Sequence, residues 1–189
     1  MPTLTELARR AQLIGVTIDL IARHGHAGTS LARIAEAAGI SKAAVLYHFP
    51  SKDAVVRAAY DTVIDGLTTR VGAAVATESG AAALAAYLRS ITGYLRDNPA
   101  HTRMIVEGIG ESPAVEDTPN APSRRDAVAA LITAARDAGD YRPDVDPRVT
   151  AVIVNGALDA IVAENLSDPS FDTTAATESL ITLLGQALR

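Results

Sequence analysis

The stretch GISKAAVLYHFPSKDAV, residues 39–55, decides how this chain is read. Gly39 is the residue type that takes positive φ at little cost where a chain turns sharply. Ile40 follows as an apolar plug. Ser41 is a good helix N-cap, with Lys42, Ala43 and Ala44 in the first turn behind it. Val45 and Leu46 are expected to supply that helix's buried side. Upstream, Leu31, Ile34, Ala35 and Ala38 form an apolar stripe, and the small Ala35 lets a crossing helix approach. Two short helices, about 30–38 and 42–48, joined by AAGIS make a helix-turn-helix. That geometry lays the second helix in a DNA major groove with its N-terminal residues at the bases.

Among 17 Lys+Arg there are only two lysines, Lys42 and Lys52. Each directly follows a serine that can cap a helix. A cation in the first turn opposes the helix dipole, so it is poor helix design. It becomes sensible where a phosphate or a guanine edge neutralises it. Tyr47 and His48, one to two turns beyond Lys42, offer hydroxyl and imidazole donors to a nucleic-acid backbone. Phe49 reads as core. Ala43 and Ala44 can offer only methyl contacts. Solvated lysines beside a packed aromatic would explain any one of these residues, but not the ordered set.

The segment TSLARIAEAAGISKAAVLYHFPSKDAV resembles the DNA-binding region of the TetR family of bacterial transcriptional regulators, and LIGVTIDLIARHGHAGTS before it resembles that family's first helix. The likeness covers about residues 10–57. It implies DNA-facing roles for Thr29, Ser30, Ser41, Lys42, Ala43, Ala44, Tyr47, His48 and Lys52. It also implies a helix-turn-helix domain over 1–50 and a helical ligand-binding and dimerisation domain over 51–189. The chain would then be a homodimeric repressor of a palindromic double-stranded operator, released by a small apolar or amphipathic effector. One departure stands out: Leu46 occupies a place where the family often has tyrosine, so a hydroxyl contact is missing or left to Tyr47.

Beyond residue 60 the pattern is helical, with helices expected at about 52–75, 80–97, 99–109, 123–138, 147–166 and 173–188. No run alternates as a strand would. The fold class is therefore all-α. Val149, Val152, Ile153, Gly156, Ala160 and Ile161 lie along one side of the penultimate helix, and Leu180, Leu183, Leu184, Ala187 and Leu188 stripe the last. Of these, Val152, Gly156, Ala160, Leu180 and Leu184 are the candidate dimer contacts, although intramolecular core would produce the same stripes. Asn155 and Asp159 interrupt the apolar helix at i,i+4 spacing. Solvent, a second subunit or a ligand could each satisfy them. Tyr87, Tyr94 and Met104 could wall a pocket, though ordinary core packing is the commoner role for such residues.

Net charge is −5, but unevenly spread: residues 1–60 carry 7 basic and 4 acidic side chains, while 61–189 carry 10 and 18. The N-terminal third can face a polyanion while the remainder avoids it. Absence of cysteine excludes disulfides, thiol redox chemistry and cysteine-based zinc or iron–sulfur sites. No signal-like apolar stretch opens the chain, so a cytoplasmic location without a membrane partner is expected. The four histidines, at 24, 26, 48 and 101, form no metal set. EGIGES at 107–112 lacks the preceding strand of a phosphate loop, and DVDP lacks the other ligands of a calcium loop. Neither a metal nor a cofactor is therefore expected. A helical enzyme or an adaptor with a degenerate helix-turn-helix is the competing reading, and a specific DNA mobility shift separates both from a regulator.

Overall fold

The computed structural model describes residues 3–111 and 124–189. Its elements are α1 (Leu4–Gly28), α2 (Leu31–Ala37), α3 (Lys42–His48), α4 (Lys52–Val75), α5 (Gly80–Asp97), α6 (Pro99–Glu111), α7 (Arg124–Asp137), α8 (Pro147–Ser167) and α9 (Thr173–Leu188). There is no strand among the described residues. Residues 107–111 of the glycine-bearing stretch are helical and belong to α6. Their side chains, and the proline-rich segment up to residue 123, lie outside the described residues.

Local chemistry explains the helix starts. Thr3 and Glu6 form a reciprocal capping box at α1: Glu6 N–H donates to the Thr3 hydroxyl, and Thr3 N–H donates to Glu6 Oε2 at 2.7 Å. Ser30, Ser41, Asp146 and Asp172 cap α2, α3, α8 and α9 through side-chain oxygens. Ser51 Oγ accepts from Ala54 N–H at 3.1 Å where α4 begins. α1 does not stop at Gly25. Gly25 bends the helix with φ 70° and ψ 172°, after which one more turn runs to Gly28. The Thr29 hydroxyl closes that turn by donating to the Gly25 carbonyl at 2.9 Å.

The described chain forms two compact units. The first holds residues 3–66 and 98–111: α1, α2, α3, the first part of α4, and α6. Residue 50, where a domain boundary was expected, falls between α3 and α4, and this unit continues past it. Leu13, Ile34, Ala35, Ala38, Val45, Phe49 and Val55 form one core cluster, with Ile40 packed against it. A second cluster joins Ile18, Ile21, Val56, Ala59, Val63 and Met104. Burial of an aliphatic or aromatic side chain contributes about 1.5–3 kcal/mol each, so the two short helices, α2 and α3, are held by packing rather than by propensity.

The second unit holds residues 67–97 and 124–189: the rest of α4 with α5, α7, α8 and α9. α5 is its central helix, burying Ala83, Leu84, Tyr87, Leu88, Ile91, Tyr94 and Leu95 and packing against α7, α8 and α9. Val128, Ile132 and Ala135 of α7 and Val154 and Leu158 of α8 complete the core. Inside it the Thr177 hydroxyl meets that of Thr92 at 3.0 Å. Outside, Arg89 bonds both Glu178 oxygens at 2.5 and 2.7 Å, an exposed pair of modest worth.

Candidate nucleic-acid interface and effector site

α2 and α3 meet at Gly39, whose φ of 67° makes the sharp turn. Ile40 N–H closes it onto the Ala35 carbonyl at 3.0 Å. The Ser41 hydroxyl then accepts from Ala44 N–H at 3.1 Å and starts α3. Val45 points wholly inward. Lys42, Ala43, Leu46 and Tyr47 form the outward face, and Ala44 and His48 are half-buried. Leu46 is 41% exposed, so the expectation that it shares the buried side with Val45 is corrected. One step along a seven-residue helix turns a side chain by about 100°, which carries residue 46 off the core side that Val45 occupies.

The candidate DNA contacts thus separate. Lys42 projects from the first turn and makes no hydrogen bond or ion pair among the described residues. Tyr47 is 74% exposed and donates its hydroxyl to Glu6 Oε1 at 3.0 Å. Hydrogen bonds from Thr3 N–H and Tyr47 hold the Glu6 carboxyl below the usual carboxylate range, and the same contact pushes the Tyr47 phenol up. Lys52 is half-buried and donates to the His26 carbonyl at 2.6 Å; an ammonium group has two further protons to give. Ser30 is exposed, its oxygen engaged with Arg33 N–H. Thr29 is 2% exposed with its hydroxyl turned inward to Gly25, so the structure does not place it on the outward face.

Arg10 is a residue that sequence reading missed. Its guanidinium donates to the His48 carbonyl, at the C-terminus of α3, and lies 4.1 Å from the centroid of the Phe49 ring. A cation at that end favours the helix dipole, and the planar group stacks well on an aromatic face. Arg10 therefore fixes the far end of α3 as Ser41 fixes the near end. The contact joins residues 38 apart, so no local pattern announces it.

In the second unit, Asn155 and Asp159 do share a face, with Val152 and Gly156 of α8 and Arg124 and Arg125 of α7, around a cavity of about 480 Å³. Arg124 Nη2 reaches both Asp159 oxygens, at 2.7 and 2.8 Å. Tyr87 and Tyr94 are buried in α5, at 6% and 7% exposure. Burial pushes the Tyr87 phenol up, with Arg124 and Asp159 acting on it in opposite senses. Met104 is not brought to them: it sits in the core of the first unit against Ile18 and Val63. A smaller cavity of about 280 Å³ between α5 and α9 is lined mainly by apolar groups, among them Leu84, Leu88, Ile181 and Leu184.

Of the residues considered for dimer contacts, Val152 is 52% exposed, and Gly156 and Ala160 are exposed beside it. Val149 and Ile153, at 56% and 61%, extend the same apolar side. Leu180 is half-buried and Leu184 turns inward at 8%, leaving Leu183, at 63%, as the outward leucine of α9. α8 is long and apolar enough by length and composition to cross a membrane, and only 28% of its most apolar window is buried. That exposed surface is what a partner helix would cover.

A helix-turn-helix that presents a capped reading helix in one all-helical unit, with a second all-helical unit on the same chain, defines a helix-turn-helix transcriptional regulator. The signature of bacterial regulatory proteins of the tetR family matches residues 13–59. The HTH-type transcriptional regulator RutR of Escherichia coli O157:H7 is 31% identical over 144 residues, covering 75% of this chain and 68% of RutR. The chain belongs to the TetR family. The fold agrees: the fatty acid degradation regulator FadR of Bacillus halodurans superposes with a TM-score of 0.81 at 18% identity, over 96% of both chains. FadR of Bacillus subtilis, solved in complex with stearoyl-CoA, gives 0.80 at 16% identity, over 95% of this chain and 99% of that one. The relatives are regulators rather than enzymes, and this chain is a DNA-binding transcriptional regulator.

Proposed function

We propose that the chain is a cytoplasmic, homodimeric repressor that binds a palindromic operator and leaves it when a small amphipathic molecule occupies the second unit. The observation that carries the reading is the outward face of α3. Lys42 and Tyr47 stand free of the core there, while Ser41 and Arg10 hold the two ends of the helix. Lys42, the remaining protons of Lys52, Ser30 and His48 serve phosphates, and Ala43 and Ala44 read thymine methyls or groove shape. One such helix reads too few bases for useful specificity. Pairing two about a two-fold axis sets them about 34–36 Å apart on a palindrome.

The exposed side of α8 is the surface proposed to pair. Leu183 of α9 supports it, and Leu180 and Leu184 brace that helix from behind. Effector release follows from differential affinity for two states. α4 belongs to both units, so it supplies a covalent route for the change. The stearoyl-CoA bound by the Bacillus subtilis relative supports an effector with an apolar part.

Gly156→Leu tests the dimer cleanly. A Cβ at Gly156 meets nothing within 4 Å, and leaving glycine gains up to about 1 kcal/mol of helix propensity. The single chain therefore tolerates the change, while a paired helix does not. Sedimentation is expected to show a monomer with weakened operator binding in a salt-titrated mobility shift. A wild-type monomer with full operator affinity would refute the reading.

A further inference from the structure

The cavity between the start of α7 and the middle of α8 holds an unanswered polar group. Asn155 is 8% exposed, yet its Oδ1 is fully buried without a hydrogen-bond partner. Its amide nitrogen has no bond either among the described residues. A buried carboxamide left unpaired destabilises the fold that contains it. Such a group persists where something else completes it.

The charges around the cavity say what that is. Both Asp159 oxygens accept from Arg124 Nη2. Arg125, the second guanidinium of the lining, has no ion pair or hydrogen bond among the described residues. Asp126 is in the same first turn but does not line the cavity. Two cations against one spent carboxylate leave a net positive lining, and the N–H groups opening a 14-residue helix add to it. Val152 and Gly156, on the side of α8 proposed to pair, supply an apolar edge, so the cavity borders that surface.

We infer that this cavity binds the acidic end of a small molecule carrying a hydroxyl or amide N–H beside its carboxylate or phosphate. The acid pairs with Arg125, and the neighbouring donor completes Asn155. This deepens the proposed effector reading by fixing the chemistry of the effector's polar end, and it rests on that reading only for its regulatory meaning. Asp159 holds Arg124 as a positioning residue, and Arg125 is the lining cation without a protein partner among the described residues.

The test uses the full chain without DNA, so failure of operator binding and failure of this site are separate results. Glycolate, which has the hydroxyl beside its carboxylate, and acetate, which lacks it, are titrated while the backbone amides of α7 and α8 are followed by NMR. Glycolate is expected to bind in the millimolar range and about tenfold more tightly than acetate, the worth of one neutral hydrogen bond to a buried acceptor. Arg125→Ala weakens both acids. Asn155→Leu erases the preference for glycolate and raises the thermal midpoint of the free chain, because it removes the unpaired polar group. If neither acid shifts these amides, the site is refuted. Equal preference in wild type and Asn155→Leu also refutes it. So does an Asn155→Leu chain that is less stable or less dimeric, since a second copy would then be completing the carboxamide.

Discussion

Lys52→Met separates two jobs that the structure assigns to one ammonium group. Lys52 Nζ donates to the His26 carbonyl at 2.6 Å, joining the start of α4 to the last turn of α1. A charged hydrogen bond contributes roughly 1.5–3 kcal/mol, and half-exposure places this one near the lower bound. Removing a cation from the first turn of a helix returns about 0.3–1 kcal/mol through the dipole. The net loss is therefore about 1 kcal/mol, read as a lower urea midpoint with an unchanged slope. The proposed phosphate contact predicts a second, independent effect. Each phosphate contact contributes about 0.9 to the slope of log affinity against log salt, so a dimer loses about 1.8. Lys42→Met is the control: Lys42 has no partner among the described residues, so stability holds or rises slightly while the salt slope falls similarly. An unchanged salt slope in Lys52→Met would reduce Lys52 to a structural tie. A reduced slope with no change in stability would mean that the bond to His26 is not made in solution.

Gly39→Ala places a side chain at φ 67° where its Cβ would meet nothing within 4 Å, so the loss is backbone strain alone, about 1–2 kcal/mol; a larger loss by denaturant titration would reveal an unseen clash. Arg10→Ala should weaken operator binding more than Arg10→Lys, because lysine can still donate to the His48 carbonyl although it cannot stack flat on Phe49; equal affinities would remove the positioning role. Burial holds the His101 imidazole below its ordinary pKa, with Asp19 opposing the shift. On acidification the unfolded chain takes the proton first, so stability falls as pH drops through the ordinary imidazole range. His101→Gln should flatten that part of the stability–pH curve, and an unchanged curve would show that another group titrates there.

Helix positions were legible because their signals are local. Ser41 and Ser51 stand at helix starts for reasons contained within four residues, and Gly39 marks the turn by its own lack of a Cβ. The outward residues Lys42 and Tyr47 were likewise visible as polar groups on a short helix with one apolar side. Arg10 and Glu6 were not, since their contacts reach 38 and 41 residues along the chain. Leu46 was misread because hydrophobicity says that a residue can be buried, not that its angle on the helix permits it. The pairing of Asn155 with Asp159 followed from helical spacing, whereas Arg124 and Arg125 came from a segment whose approach to α8 no periodicity encodes.

The bend at Gly25 has a consequence at the level of the genetic code. Its φ of 70° with ψ of 172° lies in a region open in practice to glycine alone. Every missense change of one base in a glycine codon installs a side chain, so codon 25 has no neutral single-step missense neighbour. The last turn of α1 carries the carbonyl that receives Lys52, and the bend carbonyl itself receives Thr29. A saturation library selected for operator binding should therefore show a hole at codon 25. The helical Gly15 and Gly72, where a Cβ meets nothing within 4 Å, should drift freely.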